Sequence, residues 1–294
     1  MRSWLTNAAH TVVKLASLTG AGIAVCLSCY AAFPHDWADV HVRLVVAGLL
    51  GGAAIGLLSA VLFEGWGLTA SGLAAAVSGA TIWGRGSIVV SEPVMYRVTD
   101  AGLKPMSQLP ANELNYVTPL VAVCLLAGGL AGYAVFARPF ENRPWLRDKL
   151  KPAAGAVCAL GLASYVFSEV TLSGLSAGRH VVVMGLAPAV AGFLAGLSCG
   201  VLIRKWSYPA AIVVAVFTCV GWILAARILY AGAEQVGEGV PAYFYGFAYV
   251  LIVGSMASVG AVAGRLIWQS IAGGTRSGPE GSGSEIPDAA PSGP

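Results

Sequence analysis

The chain has 294 residues, 57% hydrophobic and only 11% charged, with a mean hydropathy of +0.75 and a formal net charge of +3. Average soluble domains carry roughly 25% charged residues, so this balance excludes an ordinary soluble domain and predicts a polytopic, all-α integral membrane protein. It also argues against a nucleic-acid partner, because the basic residues sit in short loops such as "RPFENRPWLRDKLK" that face anionic headgroups.

A membrane-spanning helix needs about 20 mostly apolar residues. Eight such segments follow one another, at approximately 11–33, 43–63, 68–90, 117–137, 153–172, 181–203, 208–230 and 243–268. They fill a transmembrane domain over 1–269. The first carries Lys14 after a short polar start and has no convincing cleavage site behind it, so it reads as a retained helix and not a signal peptide. The even-numbered spans carry glycines four apart: Gly48, Gly52 and Gly56 in the second, Gly128 and Gly132 in the fourth, Gly192, Gly196 and Gly200 in the sixth, Gly260 and Gly264 in the eighth. Such faces let helix backbones approach closely where lipid removes the hydrophobic driving force, which predicts glycine-zipper packing among these four helices. The fifth span opens "KPAAGAV" and the seventh "SYPAAIV", each placing a proline at a helix start. Together these patterns predict repeated helical hairpins or four-helix halves. Each repeat holds an even number of spans, so the repeats run parallel.

Between the third and fourth spans, "SEPVMYRVTDAGLKPMSQLPANELNYVTP" is long for a connector and is expected to cap the outer face or to dock a partner. From residue 270 the chain is Gly, Ser and Pro without apolar periodicity, which predicts a disordered cytoplasmic tail over 270–294. Lys and Arg set the orientation. The N-terminal side carries eleven of them (Arg2, Lys14, Arg138, Arg143, Arg147, Lys149, Lys151, Arg204, Lys205, Arg265 and Arg276), whereas the opposite loops carry Arg43, Arg97, Lys104 and Arg179. Both termini are therefore expected in the cytoplasm, in a plasma membrane such as the bacterial inner membrane.

Three odd-numbered spans each carry one charge at similar depth: Arg85 after "TIWG", Glu169 after "YVFS" and Arg227 after "WILAA". A charge at the bilayer centre costs about 2.5 to 3.5 kcal/mol on insertion scales, so such groups tend to face the bundle interior, to pair and to mark pathways. The competing readings are snorkelling arginines and, for Glu169, a helix ending near Val170. Glu92, Arg179 and His180 stand near the same outer level as secondary candidates.

Other constellations carry less. His35, Asp39 and His41 match no metal-ligand spacing and read as a solvated loop. Cys26 and Cys29 form a C-x-x-C without the βαβ context of redox pairs, and small apolar filler is the favoured reading over a redox role. Gly174, Ser176 and Gly178 spell G-x-S-x-G, but no strand is present to build a nucleophile elbow. Glu234 and Glu238 lack an accompanying phosphate motif and are expected to keep a loop wet. No metal, cofactor or catalytic residue is expected. The resulting expectation is a permease or channel-like protein for a small anionic or proton-coupled solute, with Arg85, Glu169 and Arg227 as its polar cluster. The alternative is a non-catalytic subunit of a larger membrane complex; the expected partners are the bilayer and either another membrane protein or a second copy of the chain.

Overall fold

The computed structural model describes residues 2–32, 40–91, 96–99, 102–105, 111–176, 185–203, 207–231 and 247–273. Among them are eight helices: α1 (Arg2–Ala32), α2 (Val40–Leu62), α3 (Gly67–Ser91), α4 (Ala111–Asn142), α5 (Pro144–Ser176), α6 (Ala187–Leu202), α7 (Ser207–Ala231) and α8 (Phe247–Gly273). Five are long and apolar enough to cross a membrane, and α6 and the first part of α7 are shorter apolar helices. The chain is a polytopic helical membrane protein. A small antiparallel hairpin, β1 (Tyr96–Thr99) and β2 (Gly102–Pro105), interrupts the α3–α4 connector with Tyr96 opposite Pro105. It pairs backbone groups within the long connector.

Several boundaries differ from the expected ones. α5 begins at Pro144, so Pro152 lies inside that helix and does not start it. The helix also continues seven residues past Glu169, to Ser176, so Glu169 does not sit at a helix end. Arg43 and His41 belong to α2 and not to a loop.

The helices form two four-helix groups, α1–α4 and α5–α8. The most extensive packing in the first is between α2 and α4, and in the second between α6 and α8. Glycines make both pairings possible. A methyl group on Gly132 would lie 2.8 Å from the carbonyl oxygen of Ala53, and one on Gly56 would collide with the backbone of Tyr133 and Gly129. In the second group, a methyl on Gly196 would collide with the Ala261 carbonyl, and one on Gly264 with that of Phe193. Backbones this close gain dispersion contact that lipid cannot supply.

These contacts repeat at fixed spacing. Adding 140 to a residue number in α2 gives its counterpart in α6, and adding 132 does the same from α4 to α8. Gly128 meets Leu49 and Gly132 meets Ala53; correspondingly Gly260 meets Ala189 and Gly264 meets Phe193. Gly52 meets Leu125 and Gly56 meets Gly129; correspondingly Gly192 meets Ala257 and Gly196 meets Ala261. The same step of 140 carries α3 onto α7: buried Ser71, Ala75 and Ser78 fall on buried Ala211, Ala215 and Thr218. Ser78 donates to the Ala74 carbonyl, and Thr218 to the Val214 carbonyl. In sequence, the stretch that ends α2 and follows it, Val61-Leu62-Phe63-Glu64-Gly65-Trp66, is matched by Val201-Leu202-Ile203-Arg204-Lys205-Trp206 after the same step. Gly65 holds a φ of +78°, a left-handed conformation that glycine adopts without steric cost.

The two halves meet along α1 and α5, where Gly20 packs on Leu162 and Gly161 on Ala21. Adding 141 to the first contact gives the second, so the pseudo-two-fold axis passes through this crossing. Both helices run the same way, because Lys14 of α1 lies over the Phe63 ring and Lys151 of α5 reaches Glu64 in the same α2–α3 turn. The molecule is thus a parallel repeat of two four-helix halves, and the hairpin is not its repeating unit. Each half has its own core, with Leu18, Ile55, Ala74 and Ala75 in the first and Ala191, Ala215, Val253 and Ala257 in the second. Phe167 of α5 is fully buried in the second.

Candidate functional site

A groove of about 370 Å³ opens between the halves. Its walls are α1 and α3 of the first half, with Leu15, Gly20, Ile23, Val77 and Thr81 among the lining residues, and α5 of the second, with Leu162 and Tyr165. That volume lies within the range of small-molecule sites. The groove runs from Val12 to Ile23 of α1, about 16 Å along that helix at 1.5 Å per residue. Its lining is almost wholly apolar, so water gains little there and an apolar body fits.

Helix register extends the groove outward. Arg85 stands one turn beyond Thr81 on α3, and Glu169 one turn beyond Tyr165 on α5. Ser78 donates to the Thr19 carbonyl at 3.2 Å, which sets the level of α3 against α1. The Gly20–Leu162 and Gly161–Ala21 contacts set that of α5. Counting seven or eight residues along from these anchors, Arg85 comes level with Cys26 of α1 and Glu169 with the adjoining turn Leu27–Cys29. Glu169 is half-buried and its Oε1 is shielded from the surface.

Arg227 stands elsewhere. On α3, Arg85 follows Ser71 and Ser78 at seven-residue steps, and both serines are fully buried. On α7, Arg227 follows Val213 and Val220 at the same steps, and Val213 is 63% exposed. Moreover α3 packs on α1, α2 and α4, whereas α7 packs on α5, α6 and α8. Arg85 thus continues the seven-residue register of two buried serines of α3, in the first half, and Arg227 that of an exposed valine of α7, in the second. The side chains of Arg85 and Arg227 lie outside the described residues, as do Glu92, Arg179 and His180 altogether.

The three charges are also where the pseudo-symmetry lapses. The counterpart of Glu169 is Ser28, that of Arg85 is Ala225, and that of Arg227 is Ser87. The glycine contacts and the Ser78 and Thr218 hydrogen bonds, by contrast, match between the halves. A charge that only one copy carries is not required by the shared packing of the fold.

Other polar groups were hidden in the letters. Arg43, expected in a loop, is 4% exposed near the N-terminal end of α2 with its guanidinium 5.3 Å from the Tyr30 ring of α1, an arrangement that offsets part of its burial cost. Arg265 donates to Ser207 at 2.7 Å and lies over Tyr208, which in turn donates to Gln269 at 2.7 Å. In the first half the equivalent place is apolar, with Tyr133 packed on Gly67. Between α1 and α6, Ser17 donates to Ser198 at 2.9 Å, both buried. At the α2–α3 turn, Glu64 accepts from Arg147 at 2.9 Å and from Lys151 at 2.8 Å.

Cys26 is buried and Cys29 half-buried, and neither is in a disulfide. A methyl group on Gly51 would lie 2.8 Å from the Cys26 Cβ, which identifies this thiol as packing between α1 and α2. Ser176 is the last residue of α5; Gly178 and the loop beyond it, like Glu234, Glu238, His35 and Asp39, lie outside the described residues. Among known proteins, no family, curated sequence or solved structure matches this chain.

Proposed function

We propose that the protein is a permease for a small organic anion with an apolar body, working in a bacterial cytoplasmic membrane with both termini inside. One observation carries the reading: the apolar groove between the two halves leads to the level at which Arg85 and Glu169 stand. The groove receives the apolar body, and Arg85 takes the anionic group, exchanging Glu169 for the substrate as its partner. Proton uptake by the released carboxylate would couple the two steps. The glycine-faced pairs α2–α4 and α6–α8 serve, as glycine zippers, to keep each half rigid while the halves move. The excess of Lys and Arg on the inner side supports the orientation.

The test is uptake of radiolabelled octanesulfonate by proteoliposomes. This sulfonate stays ionised and so crosses a bare bilayer slowly. The expected result is saturable uptake that falls at least tenfold in Arg85→Leu and loses its pH dependence in Glu169→Gln. Uptake no greater than in empty vesicles, or equal in all three proteins, refutes the assignment.

A further inference from the structure

We infer that Glu64, Arg147 and Lys151 form a latch that holds the two halves together on the inner side of the membrane. The inference rests on the permease reading for its purpose but not for its test. Glu64 lies in the turn after α2, in the first half, and Arg147 and Lys151 lie in α5, in the second. Both contacts to Glu64, at 2.9 and 2.8 Å, therefore cross the seam between the halves. Asp148 holds Lys151 from its own helix at 2.8 Å, fixing the ammonium beside the glutamate.

The latch is one-sided. At the pseudo-symmetric seam, Glu64 is replaced by Arg204, Arg147 by Thr6, Asp148 by Asn7 and Lys151 by His10. None of these four matched positions holds a carboxylate. The α1–α6 seam instead carries the buried Ser17–Ser198 bond, whose counterpart across α2–α5 is the apolar pair Leu58 and Cys158.

The geometry of the crossing makes a latch useful. The halves touch at mid-membrane through Gly20 and Gly161, whose missing side chains let α1 and α5 roll on each other's backbones. Rocking about this point separates the inner ends of α3 and α5 and must break the Glu64 contacts. These partners are partly exposed, 60% for Glu64, 20% for Arg147 and 33% for Lys151. Exposed pairs are weak, so two of them shift the closed-to-open ratio by on the order of two- to tenfold. That bias holds the inner side shut without preventing turnover.

The test uses the full chain in nanodiscs with Cys29→Ser and spin labels at Leu68→Cys and Ile271→Cys, exposed sites at the inner ends of the first and second halves. Double electron–electron resonance reads the distance distribution. Glu64→Lys should shift the population several-fold toward longer distances, Glu64→Gln should shift it less, and adding Arg147→Glu and Lys151→Glu to Glu64→Lys should restore it. Distributions that stay the same in well-folded Glu64→Gln and Glu64→Lys proteins overturn the latch, whatever the transport result. A distance response without solute uptake upholds the latch and removes the permease reading.

Discussion

Glycine-to-alanine substitutions at matched places in the two halves test the packing register directly. At Gly132 a new methyl would lie 2.8 Å from the Ala53 carbonyl oxygen, so about 0.6 Å of helix separation is needed to reach an ordinary 3.4 Å contact. Its counterpart Gly264 would meet the Phe193 carbonyl, with Leu197 N at 3.1 Å. In both places the obstacle is backbone, which cannot swing aside as a side-chain tip can. Overpacking of this kind costs about 1–3 kcal/mol. Two controls carry the same chemical change without the obstacle: at Gly72 the nearest atom would be Leu130 Cδ2 at 3.6 Å, and at Gly254 nothing lies within 4 Å. The repeat supports these choices, because Gly72 corresponds to Ile212 and Gly254 to Ala122, positions that already bear side chains. All four variants gain the same helix propensity of roughly 0.5–1 kcal/mol, so the difference between the pairs isolates the packing cost. With about 2–4 °C per kcal/mol for a chain of this size, Gly132→Ala and Gly264→Ala should melt about 2–12 °C below Gly72→Ala and Gly254→Ala. The assay is circular dichroism of purified protein in detergent. Equal melting temperatures for the two pairs, or a drop at Gly132 without one at Gly264, would refute the shared register.

Two further outcomes follow from the polar contacts. Hydrogen bonds from Lys151, with the positive charges of Arg147 and Lys151 nearby, hold the Glu64 carboxyl below its ordinary value of 4.5, against a weaker opposing influence of Asp148. A group with a depressed folded value stabilises the contact above its ordinary value and loses that contribution as pH falls through the folded one; inner-side distances between the halves should therefore lengthen below about pH 4.5 and show no corresponding change in Glu64→Gln. Replacing Arg265 by Leu removes the donor to Ser207 and the cation over Tyr208, which should lower stability by about 1–2 kcal/mol, whereas Tyr133→Phe at the equivalent apolar place should change stability by less than about 0.5 kcal/mol, both read by thermal unfolding.

Much of the architecture was legible in the letters because the bilayer imposes a length. Runs of about 20 apolar residues predict spans; all eight coincide with helices, and five of these are long and apolar enough to cross a membrane among the described residues. Glycines four apart marked the tight pairs, since only backbone approach explains so many bare faces on one set of helices. The repeat unit was harder to read. "KPAAGAV" and "SYPAAIV" drew attention to α5 and α7, yet α5 corresponds to α1 and α7 to α3. Pro152 resembles a helix start only until the amphipathic turn from Pro144 is seen to continue into it. Depth along a helix could be counted, so Arg85, Glu169 and Arg227 were placed near one level. Face cannot be read from depth; Arg85 continues the register of two buried serines, whereas Arg227 continues that of the exposed Val213. Arg43 was misjudged because a cation beside a span reads as a loop charge, and its burial depends on Tyr30 of another helix. Glu64 and Lys151 are 87 positions apart, so no local pattern signals their meeting.

The claim that the pathway is the groove lined by α1, α3 and α5 can be put to one comparison. Val77 lines that groove and is 45% exposed, while its pseudo-symmetric counterpart Phe217 is 66% exposed on α7. Octanesulfonate uptake is measured in proteoliposomes containing Val77→Trp or Phe217→Trp, at equal amounts of folded protein. The groove account predicts that Val77→Trp lowers uptake at least tenfold while Phe217→Trp leaves it within about twofold of the parent. Equal uptake in the two variants would contradict it.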